Sequence, residues 1–473
     1  MACPVQCEKT EHRVEKYRKY HKKAEYITRK GMFSHVGWKG TGTMKVKIAY
    51  YKEDREVNIP EKNLIGVLRP KDIHPAVDLA ACINENLDHP IGTQPFDVLC
   101  AGKKNVCILV CDLTRPMETE RVLPILLERI ERSAPGAKIT ILIALGTHRG
   151  LSDEEIDKLC GKGIREKYDV VNHAFDDPNA LVQIPCDRED VPPVFVNKLL
   201  TECDLRVAVG AVKPHPIFGW SGGAKIVIPG VAGYETTGYS HWLTCPHKGI
   251  EVMGKEDNPV RLLYESIVVK AHLVDFILNA VLTEESKISD VRCGDLVQAH
   301  RAAVHIAKKY YVCDVEEPAD AIIVGVGKWA SDLWVGSNAV YQSEFYLRKH
   351  GTIVLLGNFP EGISPVHKEI SQYGYMPYRE ALKLIAKGGP LEHDLSTASH
   401  LVHLGRVLDA READCVLISN GISREEARKV GFEYLDSPEE IMGYLTKKYG
   451  ENVRILAIPG YNSTPIISSR PQE

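Results

Sequence analysis

Residues 105–146, NVCILVCDLTRPMETERVLPILLERIERSAPGAKITILIALG, decide the fold class. NVCILVC and KITILIALG are short, nearly unbroken apolar runs rich in β-branched residues, while ERVLPILLERIERSA between them reads as helical. A strand covered on both faces meets no water on either side, so its sequence loses the alternation of a half-exposed strand. Two such runs joined through a helix predict parallel strands with helices packed over the sheet. SDEEIDKLC predicts a further helix capped by Ser152, and LRVAVGAV and AKIVIPGVAG continue the series of strands.

Outward from this core, MKVKIAYYKEDREVNIP alternates like a half-buried strand pair, which starts the main domain near Met44. Beyond residue 284 a second α/β unit is predicted, with a helix in GDLVQAHRAAVHIAKKYY and strands at DAIIVGVG, GTIVLLGN, CVLISN and VRILAIP. The expectation is an α/β protein of two domains, each with a mainly parallel sheet flanked by helices. A basic N-terminal extension would occupy 1–43, a catalytic and cofactor-binding domain 44–283 and a C-terminal domain 284–473, with the active site in the cleft between the domains. At about 150 residues per domain, 473 residues accommodate two or three.

Composition narrows the function classes. With 44% hydrophobic and 26% charged residues the chain is globular, which excludes fibrous and disordered classes. The 59 basic and 63 acidic residues leave a net charge of −4, too balanced for a dedicated nucleic-acid binder. No stretch approaches the roughly eighteen consecutive apolar residues of a membrane span, and Met1-Ala2-Cys3-Pro4 opens a polar segment unlike a secretory leader, so a soluble, cytoplasmic protein is expected. The 13 cysteines, odd in number and scattered, read as reduced thiols, most of them small core residues. Cys3 and Cys7 alone fall short of the ligand set of structural zinc, and residues 8–30 read as a solvated basic helix.

The chemistry-bearing residues cluster at the predicted strand ends, where open parallel sheets bind ligands. Asp112-Leu113-Thr114-Arg115-Pro116 follows NVCILVC directly, so a carboxylate, a hydroxyl and a guanidinium emerge together. Arg115 can grip a carboxylate or phosphate in bidentate fashion; the plainer alternative is a helix capped by Asp112 or Thr114 with Pro116 in its first turn. Gly146-Thr147-His148-Arg149 repeats the placement with an imidazole, which either titrates near neutrality or is simply satisfied by a backbone carbonyl.

The densest segment runs Lys213-Pro214-His215-Pro216, then Gly219-Trp220-Ser221-Gly222-Gly223-Ala224-Lys225, then Ser240-His241-Trp242. Its paired glycines allow close backbone approach to a ligand. Ala224 between Gly223 and Lys225, with Ile226 following, excludes a phosphate-binding P-loop. His241, Cys245 and His247, with His215 upstream, raise a zinc site that Pro246 and the irregular spacing weaken. Gly325-x-Gly327-x-x-Ala330 nearly matches the dinucleotide fingerprint, but its acidic partner, Glu344, falls in a predicted helix.

Taken together, DLTRP, GTHR, PHPIFGWSGGAKIVIPGVAG, His241, GDLVQAH and Tyr341-Gln342, in this order and at these separations, resemble the nickel-pincer lactate racemase family, whose members racemise or epimerise 2-hydroxy acids. The likeness runs over roughly residues 45 to 473. It implies that Lys225 carries, through a thioamide, a pyridinium mononucleotide, the Ni(II)-pyridinium-3,5-bisthiocarboxylic acid mononucleotide, and that His241 is the chain's ligand to nickel. Three donors from the pincer leave a square-planar ion one further position, in keeping with a single imidazole.

By the same resemblance Asp112, Leu113, Thr114 and Arg115 hold the cofactor, with Arg115 also on the substrate carboxylate beside Gln342 and Tyr341. His148 and His215 are the acid/base pair, moving the hydroxyl proton while hydride passes to the cofactor, which gives a transient 2-oxo acid. Partners implied are a small 2-hydroxy acid and cofactor-maturation proteins.

Two departures point away from lactate. The family's lysine three residues after the glutamine is Phe345, and its tryptophan is not evident in HDLSTASHLVHLGRV, where Ser399 or His400 falls near its place. A different or larger 2-hydroxy acid is expected, for example one whose side chain packs on Phe345 or bonds to Glu344. The competing readings are a nicotinamide-dependent dehydrogenase using GVGKWA and a non-catalytic nickel or cofactor carrier.

Overall fold

The computed structural model describes residues 42–460 apart from 116, 248, 314, 316, 329 and 388–393, together with 466–467. The expected basic extension, with Cys3 and Cys7, lies almost wholly outside the described residues, as does Pro116. Two large sheets carry the fold. A 6-stranded sheet runs in the order Ile288–Gly294, Phe276–Leu282, Leu205–Ala211, Asn105–Cys111, Lys138–Ala144, Asp169–Asn172. All of its neighbours are parallel except the edge pair Phe276–Leu282 with Ile288–Gly294.

The apolar runs have the cause the sequence suggests. Along Asn105–Cys111, Val106, Ile108 and Val110 enter one core while Cys107 and Leu109 enter another on the opposite face. Each fully buried aliphatic side chain contributes about 1.5–3 kcal/mol of transfer free energy, so neither face can be turned to water cheaply. Thr119–Ser133 covers one face, and Ser152 caps Asp153–Cys160 with the reciprocal Glu155 bond of a capping box.

The 8-stranded sheet is centred on Ala319–Gly327, which pairs in parallel with Leu347–Leu356 on one side and with Ile455–Ile458 on the other. Asp414–Ile418 and Glu433–Tyr434 extend it outward. Its faces are covered in the same way: Ile322, Val324 and Val326 enter one core, Ala321 and Ile323 another.

The sheets do not divide at 283/284. Ile288–Gly294 belongs to the first sheet, and Gln298–Tyr311 packs on it through Ala299, Ala303, Val304 and Ala307. The N-terminal strand pair, Thr43–Tyr51 with Glu53–Pro60, joins the second sheet, where Tyr50 and Tyr51 pair with Val326 and Gly327. Leu64–Val67 completes that sheet beside Ile455–Ile458. AKIVIPGVAG is not a strand: Gly223–Ile226 is a 3-10 turn, and the amides of Val227, Ile228 and Val231 bond to carbonyls three or four residues back. Local turns therefore satisfy the backbone while Val227, Ile228 and Val231 are buried as a sheet residue would be.

Gly325 answers the dinucleotide alternative. A Cβ there would stand 2.5 Å from the Ala49 carbonyl oxygen, so the missing side chain lets two strands meet, and only the four-residue helix Leu333–Gly336 follows. Among the described residues no helix is long and apolar enough to cross a membrane. Replacing Gly325 by Val should lower stability by about 1–3 kcal/mol, read from chemical denaturation, by prying Thr43–Tyr51 from the sheet. Unchanged stability with altered nicotinamide binding would reverse this assignment.

Candidate functional site

Three adjacent parallel strands, Lys138–Ala144, Asn105–Cys111 and Leu205–Ala211, end side by side, and Cys111 pairs with Ala144 in register. From these ends come Asp112 to Arg115, Gly146 to His148, and Lys213 to His215, all lining one pocket of about 210 Å³ except Leu113. Leu113 instead packs against the core of the first sheet. Lys225 and His241 line the pocket as well, and from the second sheet's side come Trp334, Val335, Asn338, Tyr341, Gln342 and Ser396.

Asp112 caps no helix, because the following helix starts at Thr119 behind Glu118. One carboxylate oxygen accepts from the Thr114 amide and hydroxyl at 3.2 and 2.7 Å; the other takes a bond from His148 Nδ1 at 2.7 Å. Burial alone would raise this carboxyl's pKa. The charge and hydrogen bond of His148, with Arg115 and Thr114, hold it below the usual carboxylate value instead. The contact therefore places a hydrogen on His148 Nδ1 and leaves Nε2 as the ring nitrogen available to the pocket. Arg115 is steadied by its own bond to the Thr114 hydroxyl at 2.9 Å.

His215 is arranged in the opposite sense. The amides of Ile217 and Phe218 both donate to its Nδ1, at 3.2 and 3.3 Å, so this nitrogen accepts and the neutral ring carries its hydrogen on Nε2. Burial first, then the positive charges of Lys225 and Arg115, keep its pKa well below the ordinary histidine value.

The glycine-rich loop presents Lys225. At Gly222, φ is +75°, and a Cβ would lie 2.1 Å from Asn279 Oδ1, which accepts the Gly223 amide at 3.0 Å. Arg261, fully buried, donates to the Phe218 carbonyl at 2.9 Å and to the Trp220 carbonyl, pinning the loop from behind. Among the described residues no hydrogen bond or ion pair engages the Lys225 amine. Burial and then Arg115 lower its pKa to about 7, which leaves a nucleophilic amine at neutral pH.

His241 lies in the last turn of Tyr234–Trp242 and donates from Nδ1 to the Thr237 carbonyl at 2.9 Å. Its Nε2 lone pair is thereby free, and burial lowers its pKa to about 4, so the ring is neutral as a metal ligand must be. The zinc set weighed from the sequence is not assembled: among the described residues no three His, Cys, Asp or Glu side chains could hold a metal ion, and Cys245 packs with Ala381 and Val402.

Phe345 and Glu344 do not reach the pocket; a Cβ on Gly249 would lie 2.6 Å from the Phe345 ring and 2.9 Å from the Glu344 carboxylate. Sequence reasoning also missed an indole. Trp334 lines the pocket and stacks on His367 and His400, with ring centres 3.8 and 4.0 Å away. Its position just past the GVGKWA strand, where this sheet also delivers residues to the pocket, is the signal that could have found it.

Residues 50–252 match the family model described as the lactate racemase N-terminal domain. The lactate racemase of Lactiplantibacillus plantarum is 30% identical over 275 residues, 56% of this chain and 62% of that protein, so the match spans less than two thirds of that relative's length. The lactate racemase of Thermoanaerobacterium thermosaccharolyticum is 29% identical over 327 residues, 67% of this chain and 75% of the relative. The fold agrees with that of the latter organism's lactate racemase apoprotein, at a TM-score of 0.80 and 23% identity over 90% of this chain and 100% of the other. It also agrees with a structural-genomics protein from Thermotoga maritima, at 0.68 and 22% over 84% of this chain and all of that one.

An amine of pKa about 7 is about half unprotonated at pH 7, against fewer than about 1 in 1,000 for an ordinary lysine. Limited acylation of the apoprotein at that pH, followed by peptide mass mapping, should therefore modify Lys225 ahead of the exposed lysines. Labelling no faster than the surface average would mean that the amine is held protonated.

Proposed function

We propose that the chain is a member of the lactate racemase family and a racemase or epimerase of a 2-hydroxy acid. The observation that carries this reading is the convergence on one pocket of an unpaired amine, an imidazole with a free Nε2, two further imidazoles and Arg115. A covalently attached nickel-pincer nucleotide fits these residues: Lys225 offers the amine for its thioamide and His241 the neutral ligand for its Ni(II). When bound, the group would accept the substrate's α-hydride and return it to either face, so that the substrate passes through a 2-oxo acid.

The chain's own residues then have definite tasks. Arg115 holds the substrate carboxylate, and Gln342 and Tyr341 close over it from the second sheet. Asp112 fixes His148 with Nδ1 protonated, so that Nε2 takes the hydroxyl proton and the resulting imidazolium faces a carboxylate. His215 presents Nε2–H as a hydrogen-bond donor to the substrate oxygen on its own side; to return a proton there it must first gain a hydrogen at Nδ1, displacing the Ile217 and Phe218 amides, so that a neutral ring remains after the transfer. Asp112, Thr114 and Arg115 can also contact the nucleotide, whereas Leu113 could do so only through its backbone. Cofactor-maturation proteins are the implied partners, and we place the reaction in the cytoplasm. Trp334, Val335 and Asn338 supply the wall against which a substrate other than lactate would pack.

Protein matured with the cofactor should show a nucleotide adduct on Lys225 by intact mass and interconvert the isomers of a 2-hydroxy acid; Lys225→Ala should lose both. Full turnover by Lys225→Ala would sink the proposal. Asp112→Asn should keep the adduct while kcat falls by about 10²–10⁴, the range that misplacing a general base costs. A kcat within a factor of about two of wild type would remove His148 and Asp112 from the chemistry.

A further inference from the structure

We propose that Lys213 is a substrate-binding residue whose ammonium, standing with Arg115, holds the carboxylate of the bound 2-hydroxy acid. Lys213 leaves the end of Leu205–Ala211 two residues before His215. Its backbone is fixed on both sides of the residue: its amide donates to the Ser221 hydroxyl at 2.9 Å, and its carbonyl accepts from the Ser221 amide at 2.8 Å. Lys213 is half-buried and lines the pocket. Among the described residues its ammonium makes no hydrogen bond or ion pair.

The charge count around the pocket shows what is missing. Of the acidic and basic side chains lining it, Arg115, Lys213 and Lys225 are basic and Asp112 alone is acidic, and that carboxylate is already committed to His148 and Thr114. A lysine partly taken out of water beside a guanidinium, with no anion among the protein's own side chains, carries a desolvation penalty and a like-charge penalty. Burial and then Arg115 accordingly lower its pKa to about 8. A bound carboxylate would relieve both penalties at once, and a charge-assisted contact in an enclosed site is among the stronger ones available. The other candidate cation position, Phe345, holds an apolar ring packed outside the pocket, so the second positive charge toward the substrate comes from the first sheet.

The inference rests on the reading of the pocket as a 2-hydroxy acid site. Its test is calorimetric binding to the apoprotein of glycolate, the smallest 2-hydroxy carboxylate, with inorganic phosphate as a second probe for the nucleotide's phosphate. Lys213→Met should weaken glycolate binding by about tenfold or more and leave phosphate binding within about twofold, while Lys213→Arg stays within about threefold of wild type. The thermal midpoint of Lys213→Met should equal or exceed that of wild type, because an unpaired enclosed cation has been removed; a structural lysine would give the opposite sign.

Glycolate binding indifferent to Lys213→Met, no glycolate binding by the wild type, or a loss confined to phosphate would each overturn the assignment, the last by giving the lysine to the nucleotide. The underlying reading fails separately. A matured enzyme that interconverts no 2-hydroxy acid, with glycolate binding still dependent on Lys213, overturns the racemase and leaves the carboxylate site standing.

Discussion

A carboxylate that is 3% exposed stays ionised in this protein because His148 donates to it at 2.7 Å and Thr114 donates to it twice. The rest of the site is arranged around that contact. Asp112 is the first residue after a strand whose side chains are buried on both faces, so its backbone cannot shift without moving two cores. His148 follows the neighbouring strand, and Cys111 and Ala144 lie in register, so the bond between the two side chains spans the ends of a locked pair. Rigid parallel pairing thus converts residues 36 apart in sequence into a hydrogen-bonded couple with a defined tautomer.

The same rigidity makes an excess of positive charge tolerable. Arg115, Lys213 and Lys225 face one cavity with only Asp112 against them, an arrangement that opposes folding and favours anions. The fold accommodates it in two ways. Neutral amine is available at Lys225 near pH 7, and Arg261, buried behind the loop, donates from Nε and one terminal nitrogen to the Phe218 and Trp220 carbonyls and takes no part in the pocket lining. A site selected for stability alone would hold fewer cations; one that must bind anions and present a free amine has reason to keep them.

What the sequence made legible follows from what a linear pattern can encode. Apolar runs flanked by helical segments fix parallel strands, and strand ends fix where polar residues emerge, so Asp112, His148 and His215 line one pocket. Pairing across the chain is not encoded in this way. The strand pair at 43–60 reads the same whichever sheet it joins, and only Gly325, by admitting the Ala49 carbonyl to 2.5 Å of its absent Cβ, reveals the second sheet as its host. AKIVIPGVAG has the composition of a strand because its side chains are buried like one, yet its amides are satisfied by turns. Trp334 escapes a reading of the sequence because its helix, Leu333–Gly336, is too short to show a period.

The two imidazoles assigned to proton transfer differ in a way no motif discloses. His148 donates from Nδ1 to the Asp112 carboxylate, whereas His215 faces two backbone amides that oppose a hydrogen on Nδ1. On the proposed reading, one isomer meets first a ring whose Nε2 is open to a proton, and the other meets a ring whose Nε2 already carries its hydrogen. For a racemase the two isomers are equal in free energy, so kcat/KM must be the same in both directions whatever the residues. The asymmetry can therefore appear only in how kcat and KM divide that ratio, with the isomer deprotonated by His215 paying through either a lower kcat or a bound state that first shifts the loop amides of Ile217 and Phe218. His215 can release a proton to the substrate only from the doubly protonated ring, so the loop amides that hold its Nδ1 as an acceptor must part from it during turnover.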